Sequence, residues 1–189
     1  EDELNVGRKI QLSMLPSEFP AFPDHDEFDV YASLLPAREF GGDFYDFFFI
    51  GEDRFCFCIG DVSGKCVPAA SFMSITKSII KSRAGDDFST ASILTHVNEE
   101  LCGVNKAATF ATLFIGILNI KSGLLVYTNA GHKPPYLRQD GGSLKMLDRL
   151  HGPVLGTVRG LVYKEDKTVL SKNDMLLTYT DGVTEARPP

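Results

Sequence analysis

Two successive helix-period segments, 68–82 and 89–101, interrupt a chain that otherwise reads as short strands joined by turns. In the first, Ala69, Phe72, Met73, Thr76, Ile79 and Ile80 make a broad apolar face, and Pro68 stands near the first-turn position that proline tolerates. In the second, Ile93, Leu94, Val97 and Leu101 form the stripe, with Ser and Thr residues ahead to cap it. Before the helix pair, 28–35, 44–50 and 54–59 are aromatic and β-branched, and Gly51-Glu52-Asp53 is a short hairpin connection. After it, 110–119 and 124–129 flank Lys121-Ser122-Gly123, and 135–138 and 144–147 flank Asp140-Gly141-Gly142. A third pair, 161–170 and 175–180, flanks Lys172-Asn173-Asp174 and reads as another hairpin. Two consecutive helices between sets of meander strands cover one sheet face. The expected class is α+β with antiparallel sheets.

The first 15 residues read as a helix, with Val6, Ile10 and Met14 repeating every four residues and Pro16 as a stop. That stripe either packs on its own domain or pairs with a partner helix at the end of a signalling coiled coil. Residues 16–26 hold three prolines and several acidic groups, and read as a surface connection. The 189 residues suit one domain that opens at Glu1 as if cut from a longer polypeptide. With 19 basic and 25 acidic side chains the net charge is −6, which argues against nucleic acid as the main partner. The longest apolar run, 111–118, falls far short of the roughly 20 residues a bilayer crossing needs, so no membrane contact is expected of this segment. Cys56, Cys58, Cys66 and Cys102 form no C-x-x-C pair. They read as buried free thiols of a reducing, cytoplasmic compartment rather than as a disulfide framework or a zinc site.

Four segments carry chemistry. In Gly41-Gly42-Asp43-Phe44-Tyr45-Asp46, paired glycines allow a close backbone approach immediately before a carboxylate. In Gly60-Asp61-Val62-Ser63-Gly64-Lys65, Asp61 ends an apolar strand ahead of a glycine-containing loop that enters a helix. The third is Asn129-Ala130-Gly131-His132-Lys133-Pro134-Pro135. In the fourth, Thr180-Asp181-Gly182-Val183-Thr184-Glu185, Asp181 again follows an apolar strand. Three carboxylates at strand ends offer hard oxygen ligands without clustered His or Cys, a set that favours magnesium or manganese over zinc. Two such ions about 3.5–4 Å apart activate a water for in-line attack on phosphorus. Taken singly, each Asp reads more readily as a turn or cap residue than as a ligand.

The run 36–46, Pro-Ala-Arg-Glu-Phe-Gly-Gly-Asp-Phe-Tyr-Asp, resembles a signature of bacterial metal-dependent serine phosphatases, the sporulation stage II E-like branch of the PPM family. Ile59-Gly60-Asp61-Val62-Ser63-Gly64-Lys65 with Val67-Pro68-Ala69-Ala70 is similar to its second motif. Asn129-Ala130-Gly131-His132, Pro134-Pro135, Leu155-Gly156 and Asp181-Gly182-Val183-Thr184-Glu185-Ala186 match later ones, and Ile10-Gln11 with Leu15-Pro16 resembles the linker helix that joins such domains to upstream sensors. The resemblance implies two antiparallel β-sheets sandwiched between helical layers, with a linker helix at 1–16 and a phosphatase domain at 17–189. It implies two Mn2+ or Mg2+ ions and hydrolysis of phosphoserine or phosphothreonine by a metal-activated water. The substrate implied is a phosphorylated anti-sigma-factor antagonist of a partner-switching pathway. Asp61 would bridge both ions, the Val62 main-chain carbonyl would bind one, and Asp43 and Asp181 would complete the sites. Asp46 would act one layer further out, or else is a solvated strand residue. Arg38 is the candidate for orienting the substrate phosphate through a bidentate contact. His132 acts either as a general acid or, preferably, as a tie between a turn and a neighbouring strand. An upstream sensor acting through the N-terminal helix and a homodimer are further expected partners.

Three departures from the pattern stand out. Cys66 replaces a usual glycine and Ser71 a usual large apolar residue. The sequence reaches Pro189 without the further helix, strand and Asp-Asp pair with which the family ends. The alternative reading is therefore a catalytically weak or inactive phosphatase-like binding module in the same kind of pathway. Retention of Asp43, Asp61 and Asp181 favours the enzyme.

Overall fold

The structure, a computed structural model, describes residues 2–35, 41–64, 66–85, 89–105 and 108–185. Its elements run α1 (Asp2–Ser13), β1 (Asp43–Ile50), β2 (Arg54–Val62), α2 (Cys66–Ala84), α3 (Thr90–Val104), β3 (Ala111–Asn119), β4 (Leu124–Ala130), β5 (Tyr136–Arg138), β6 (Leu144–Met146), β7 (Asp166–Val169), β8 (Met175–Leu177) and α4 (Asp181–Thr184). Strands β1-β2-β3-β4-β7 form sheet A and β6-β5-β8 form sheet B, and every named pairing is antiparallel. Among the described residues no helix is long and apolar enough to cross a membrane.

The period of two sorts sheet A into two environments. On one face Phe44, Cys56, Cys58, Leu113, Ile115 and Ile117 pack with Met73 and Ile80 of α2 and Ile93, Leu94, Val97 and Leu101 of α3. Each such buried side chain contributes about 1.5–3 kcal/mol. Burial pushes the Cys58 thiol up to about 12, so it stays protonated, and Cys56, Cys58 and Cys102 are free. On the other face Phe114, Leu125 and Tyr127 meet Leu147 and Leu176, which closes the seam between the sheets. Helix α3 begins where the sequence places it. Ser89 caps it, its hydroxyl accepting from the Ser92 amide at 3.2 Å, and Glu165 accepts from the Ala91 amide at 3.2 Å. Ser71 is exposed, so its hydroxyl meets solvent and disturbs no packing.

Several sequence expectations need correction. Residues 28–35 form no strand; with 17–27 they run as irregular chain with bends and a turn, from which Phe19, Phe22 and Phe28 meet aromatic residues of sheet A. Phe22 and Phe28 pack against Phe49 and Phe55, so the segment read as a surface connection is what covers the aromatic face of β1 and β2. Strands β7 and β8 are not a hairpin. The Lys172-Asn173-Asp174 turn carries the chain from sheet A to sheet B, because β7 pairs with β4 and β8 with β5. Asp174 ties that turn down by accepting from the amides of Ser171 and Asp140, each at 2.9 Å.

Helix α1 docks by a face other than its apolar stripe. Val6, Ile10 and Met14 are 55%, 52% and 45% exposed, whereas Gln11 and Leu15 are buried. Gln11 Nε2 donates to the Gly41 carbonyl at 2.7 Å, Tyr45 Oη to the Pro16 carbonyl at 2.6 Å, and Lys77 Nζ to the Met14 carbonyl at 2.6 Å. Lys77 also forms an ion pair with Asp46 at 3.4 Å, and both are nearly sealed from solvent. Asp46 is thus neither a solvated strand residue nor a neighbour of the other carboxylates. It lies on the helix-facing side of β1, three residues and one face away from Asp43.

Removing one partner of a buried ion pair leaves an uncompensated charge. Lys77→Met is expected to cost about 3–5 kcal/mol of unfolding free energy. Adding Asp46→Leu is expected to recover most of it, as read by urea denaturation of the metal-free chain.

Candidate metal centre

The paired register of β1 and β2 sets Asp43 directly opposite Asp61, on the face of sheet A that looks toward sheet B. Neighbouring strands lie about 4.8 Å apart, so two carboxylates at one register position are held close by the ladder itself. The chain leaving β8 then delivers Asp181 as the first residue of α4, four residues past the strand rather than at its end. One carboxylate oxygen from each of Asp43, Asp61 and Asp181 lies within 4.8 Å of the others. These are the three carboxylates that the sequence singles out, brought together from 138 residues of separation.

Gly42 explains why the glycine pair precedes Asp43. A Cβ at Gly42 would run into the Val62 carbonyl oxygen and come within 2.7 Å of Asp61 Oδ1. The backbone at 42 therefore lies flat against the oxygen atoms of both residues, and only glycine fits. The Val62 amide also donates to the Gly42 carbonyl at 3.1 Å. Val62 O thus faces the same corner as the Asp61 carboxylate.

The cluster carries unbalanced negative charge. Burial, and then the charges of Asp43 and Asp181, push the Asp61 carboxyl up to about 7. Burial likewise raises Asp43, against a hydrogen bond from Thr180 that favours its charged form. Among the described residues none of the three carboxylates is in an ion pair. Hard oxygen donors without a balancing cation, and without His or Cys in the described group, fit Mg2+ or Mn2+ better than zinc.

Sequence reasoning missed two groups. Thr180 Oγ1 donates to Asp43 Oδ2 at 3.0 Å, linking the Asp181 loop to β1. Its position beside Asp181 was the available signal. Thr112 stands opposite Asp61 in the β2–β3 register and its hydroxyl lies 2.8 Å from His132 Nδ1. No local signal marks Thr112, because the pairing of β3 decides its place. His132 is 4% exposed, and burial pushes its imidazole down to about 4, against the Tyr179 backbone and the Asp181 charge. A group neutral at physiological pH is no proton donor of the general-acid kind, so the tie between turn and strand is the role the geometry favours. Asn129 holds the turn, accepting from the His132 amide at 2.8 Å and donating to the His132 carbonyl at 3.1 Å. Gly131, at φ 72°, makes the reversal that an L side chain rarely adopts. Arg38 and Lys65 lie outside the described residues, as does the side chain of Cys66.

Known proteins share parts of this sequence and this fold. The family model described as "Stage II sporulation protein E (SpoIIE)" matches residues 51–189. Protein IcfG of Synechocystis is 33% identical over 99% of the chain, which spans 33% of that protein. The phosphoserine phosphatase RsbU of Bacillus subtilis is 29% identical over 99% of the chain, which spans 55% of it. The chain thus spans about half or less of the length of these relatives. The SiaA-PP2C domain of Pseudomonas aeruginosa superposes with a TM-score of 0.77 at 21% identity, covering 96% of this chain and 71% of that one, and shares its fold. By its sequence and its two-sheet architecture, the chain belongs to the stage II sporulation protein E (SpoIIE) family.

Proposed function

We propose that the chain is the catalytic domain of a metal-dependent serine/threonine phosphatase acting on a phosphorylated protein. The observation that carries the reading is the convergence of Asp43, Asp61 and Asp181, three carboxylates with no described counter-charge. Asp43, Asp61, Asp181 and the Val62 carbonyl would hold two Mn2+ or Mg2+ ions. Bound there, such ions supply Lewis-acid activation of water and neutralise charge on the phosphoryl oxygens.

The chain's own residues do the rest. Gly42 keeps the corner open for the Asp61 and Val62 oxygens. Thr180 donates to Asp43 Oδ2 and so orients that carboxylate. A metal-activated water needs no Ser or Cys nucleophile, and the buried thiols Cys56 and Cys58 lie on the opposite face of sheet A. RsbU bears the name of a phosphoserine phosphatase, which supports a phosphoserine protein as substrate. A small phosphorylated anti-sigma-factor antagonist is the substrate class we propose, with Arg38 as the phosphate-orienting residue. We further propose that residues 1–16 are the joint to an upstream sensor. The exposed stripe Val6, Ile10 and Met14 supports pairing with a second copy there.

Phosphate release from a phosphoserine protein, measured with Mn2+ and with chelator, tests the enzyme. Mn2+-dependent release that Asp61→Asn abolishes is the expected result. A chain that binds the phosphoprotein and Mn2+ but releases nothing would instead favour the phosphatase-like binding module.

Metal-free stability gives a second test. Asp61 titrates near 7 when folded, against 3.8 as its ordinary value, so between these pH values the folded state holds a proton that the unfolded state has lost. That group's stabilising contribution is therefore present below pH 4 and lost as pH rises through 7. Melting temperature in chelator should fall across this interval. Asp61→Asn should flatten the fall and melt higher than wild type at pH 8, while losing Mn2+ binding. Gly42→Ala should also lose Mn2+ affinity, by about 10-fold or more if the Val62 carbonyl is displaced.

A further inference from the structure

The three carboxylates do not belong to one rigid element. Asp43 and Asp61 sit on sheet A, whereas Asp181 arrives on the chain that leaves sheet B. The spacing of the site is therefore the spacing of the two sheets at this end of the seam. The apolar packing of Phe114, Leu125, Tyr127 and Leu147 brings the sheets together, but apolar contact is non-directional. Fixing one carboxylate relative to two others needs directional bonds.

His132 stands at that junction. Its Nδ1 is 2.8 Å from the Thr112 hydroxyl, and Thr112 is the cross-strand neighbour of Asp61. The same hydroxyl is 3.5 Å from the Asp61 carbonyl, the longer of its two contacts, so the tautomer in which it donates to Nδ1 gives it the shorter bond. The neutral ring then carries its own proton on Nε2. Nε2 is sealed from solvent and has no hydrogen-bond partner among the described residues, and the Tyr179 backbone is a polar group beside the ring. Tyr179 stands two residues before Asp181. A buried, incompletely satisfied donor favours drawing its acceptor closer. The backbone of His132 has no freedom to follow another path, because Asn129 clamps it at both its amide and its carbonyl. Asn129 is itself anchored, its amide donating to His151 Nδ1 at 2.9 Å.

We propose that His132 is a positioning residue for the metal centre, bridging Thr112 beside Asp61 on sheet A to the Tyr179 backbone ahead of Asp181, and so setting the distance between the two halves of the ligand set. The inference rests on the metal-centre reading above. His132 lies outside the carboxylate cluster itself, and its effect passes through the positions of Asp61 and Asp181.

The test is Mn2+ binding by calorimetry to the 189-residue chain and to His132→Phe, His132→Asn and Thr112→Val, with thermal melts in chelator alongside. His132→Phe keeps the ring volume and removes both polar atoms. It is expected to weaken Mn2+ binding by about 10- to 100-fold, in line with lost outer-layer support at metal sites. Thr112→Val should weaken it by about 10-fold, and the double variant should be no worse than His132→Phe alone. In phosphate release, the Mn2+ concentration for half-activation should rise, with turnover at saturating Mn2+ near that of wild type. A purely structural role would lower the melting temperature and leave Mn2+ affinity unchanged; that outcome overturns the inference alone. If His132→Phe fails to fold, Thr112→Val and His132→Asn decide, and wild-type affinity in both overturns it. A wild-type chain that binds no Mn2+ overturns the metal-centre reading and this inference with it.

Discussion

Electrostatic repulsion among Asp43, Asp61 and Asp181 is the constraint around which this structure is arranged. Three carboxylates within 4.8 Å repel one another, and partial burial reduces the water that would screen them. The Asp61 carboxyl, pushed up to about 7, reports that cost. A loop would relax such a cluster by moving apart. Here the β1–β2 register holds two of the groups opposite each other, and a hydrogen bond from Thr180 to Asp43 holds the loop that brings the third. The ladder bonds of a five-stranded sheet, backed by two helices, supply the rigidity.

The site consequently lies where two layers meet rather than within one. Sheet A is anchored to α2 and α3 by a continuous apolar core. Sheet B has shorter strands and a smaller shared core, so its alignment depends more on individual polar ties. His132, Asn129, Thr112 and Thr180 are concentrated at the carboxylate end of the seam, where a shift of a few tenths of an ångström changes which oxygens converge. On the helix side, Gln11 grips the Gly41 carbonyl, one residue from Gly42 and two from Asp43. The N-terminal helix is therefore mechanically continuous with the backbone that bears one of the three carboxylates.

The element types were largely legible because they follow from local periodicity. Both long helices, the β1–β2 and β3–β4 hairpins and the short β5–β6 hairpin appear where alternation and turn residues place them. Expectations failed where the outcome depended on a distant surface. Residues 28–35 have strand-like composition but pair with no strand, and Phe28 packs on the aromatic side chains of β1 and β2 instead. The turn at 172–174 looks like a hairpin, yet the strands on either side find better partners on different sheets. Helix α1 shows an apolar stripe, but a buried Gln and three hydrogen bonds to backbone carbonyls decide which face docks.

What the sequence determined by itself is the chemistry: three carboxylates beside glycines, each next to a strand or helix boundary, in segments whose spelling matches one family. Those features are local, since a glycine beside an Asp constrains the backbone wherever the segment lies. What only the tertiary structure decided is which groups share a face. Asp43 and Asp46 are three residues apart on one strand, and the pleat sends one to the carboxylate cluster and the other to Lys77. Thr112 joins the site only because β3 pairs with β2 in a register that sets it opposite Asp61. Alternation fixes that neighbours point apart, but which side becomes the core depends on the layers that cover the sheet.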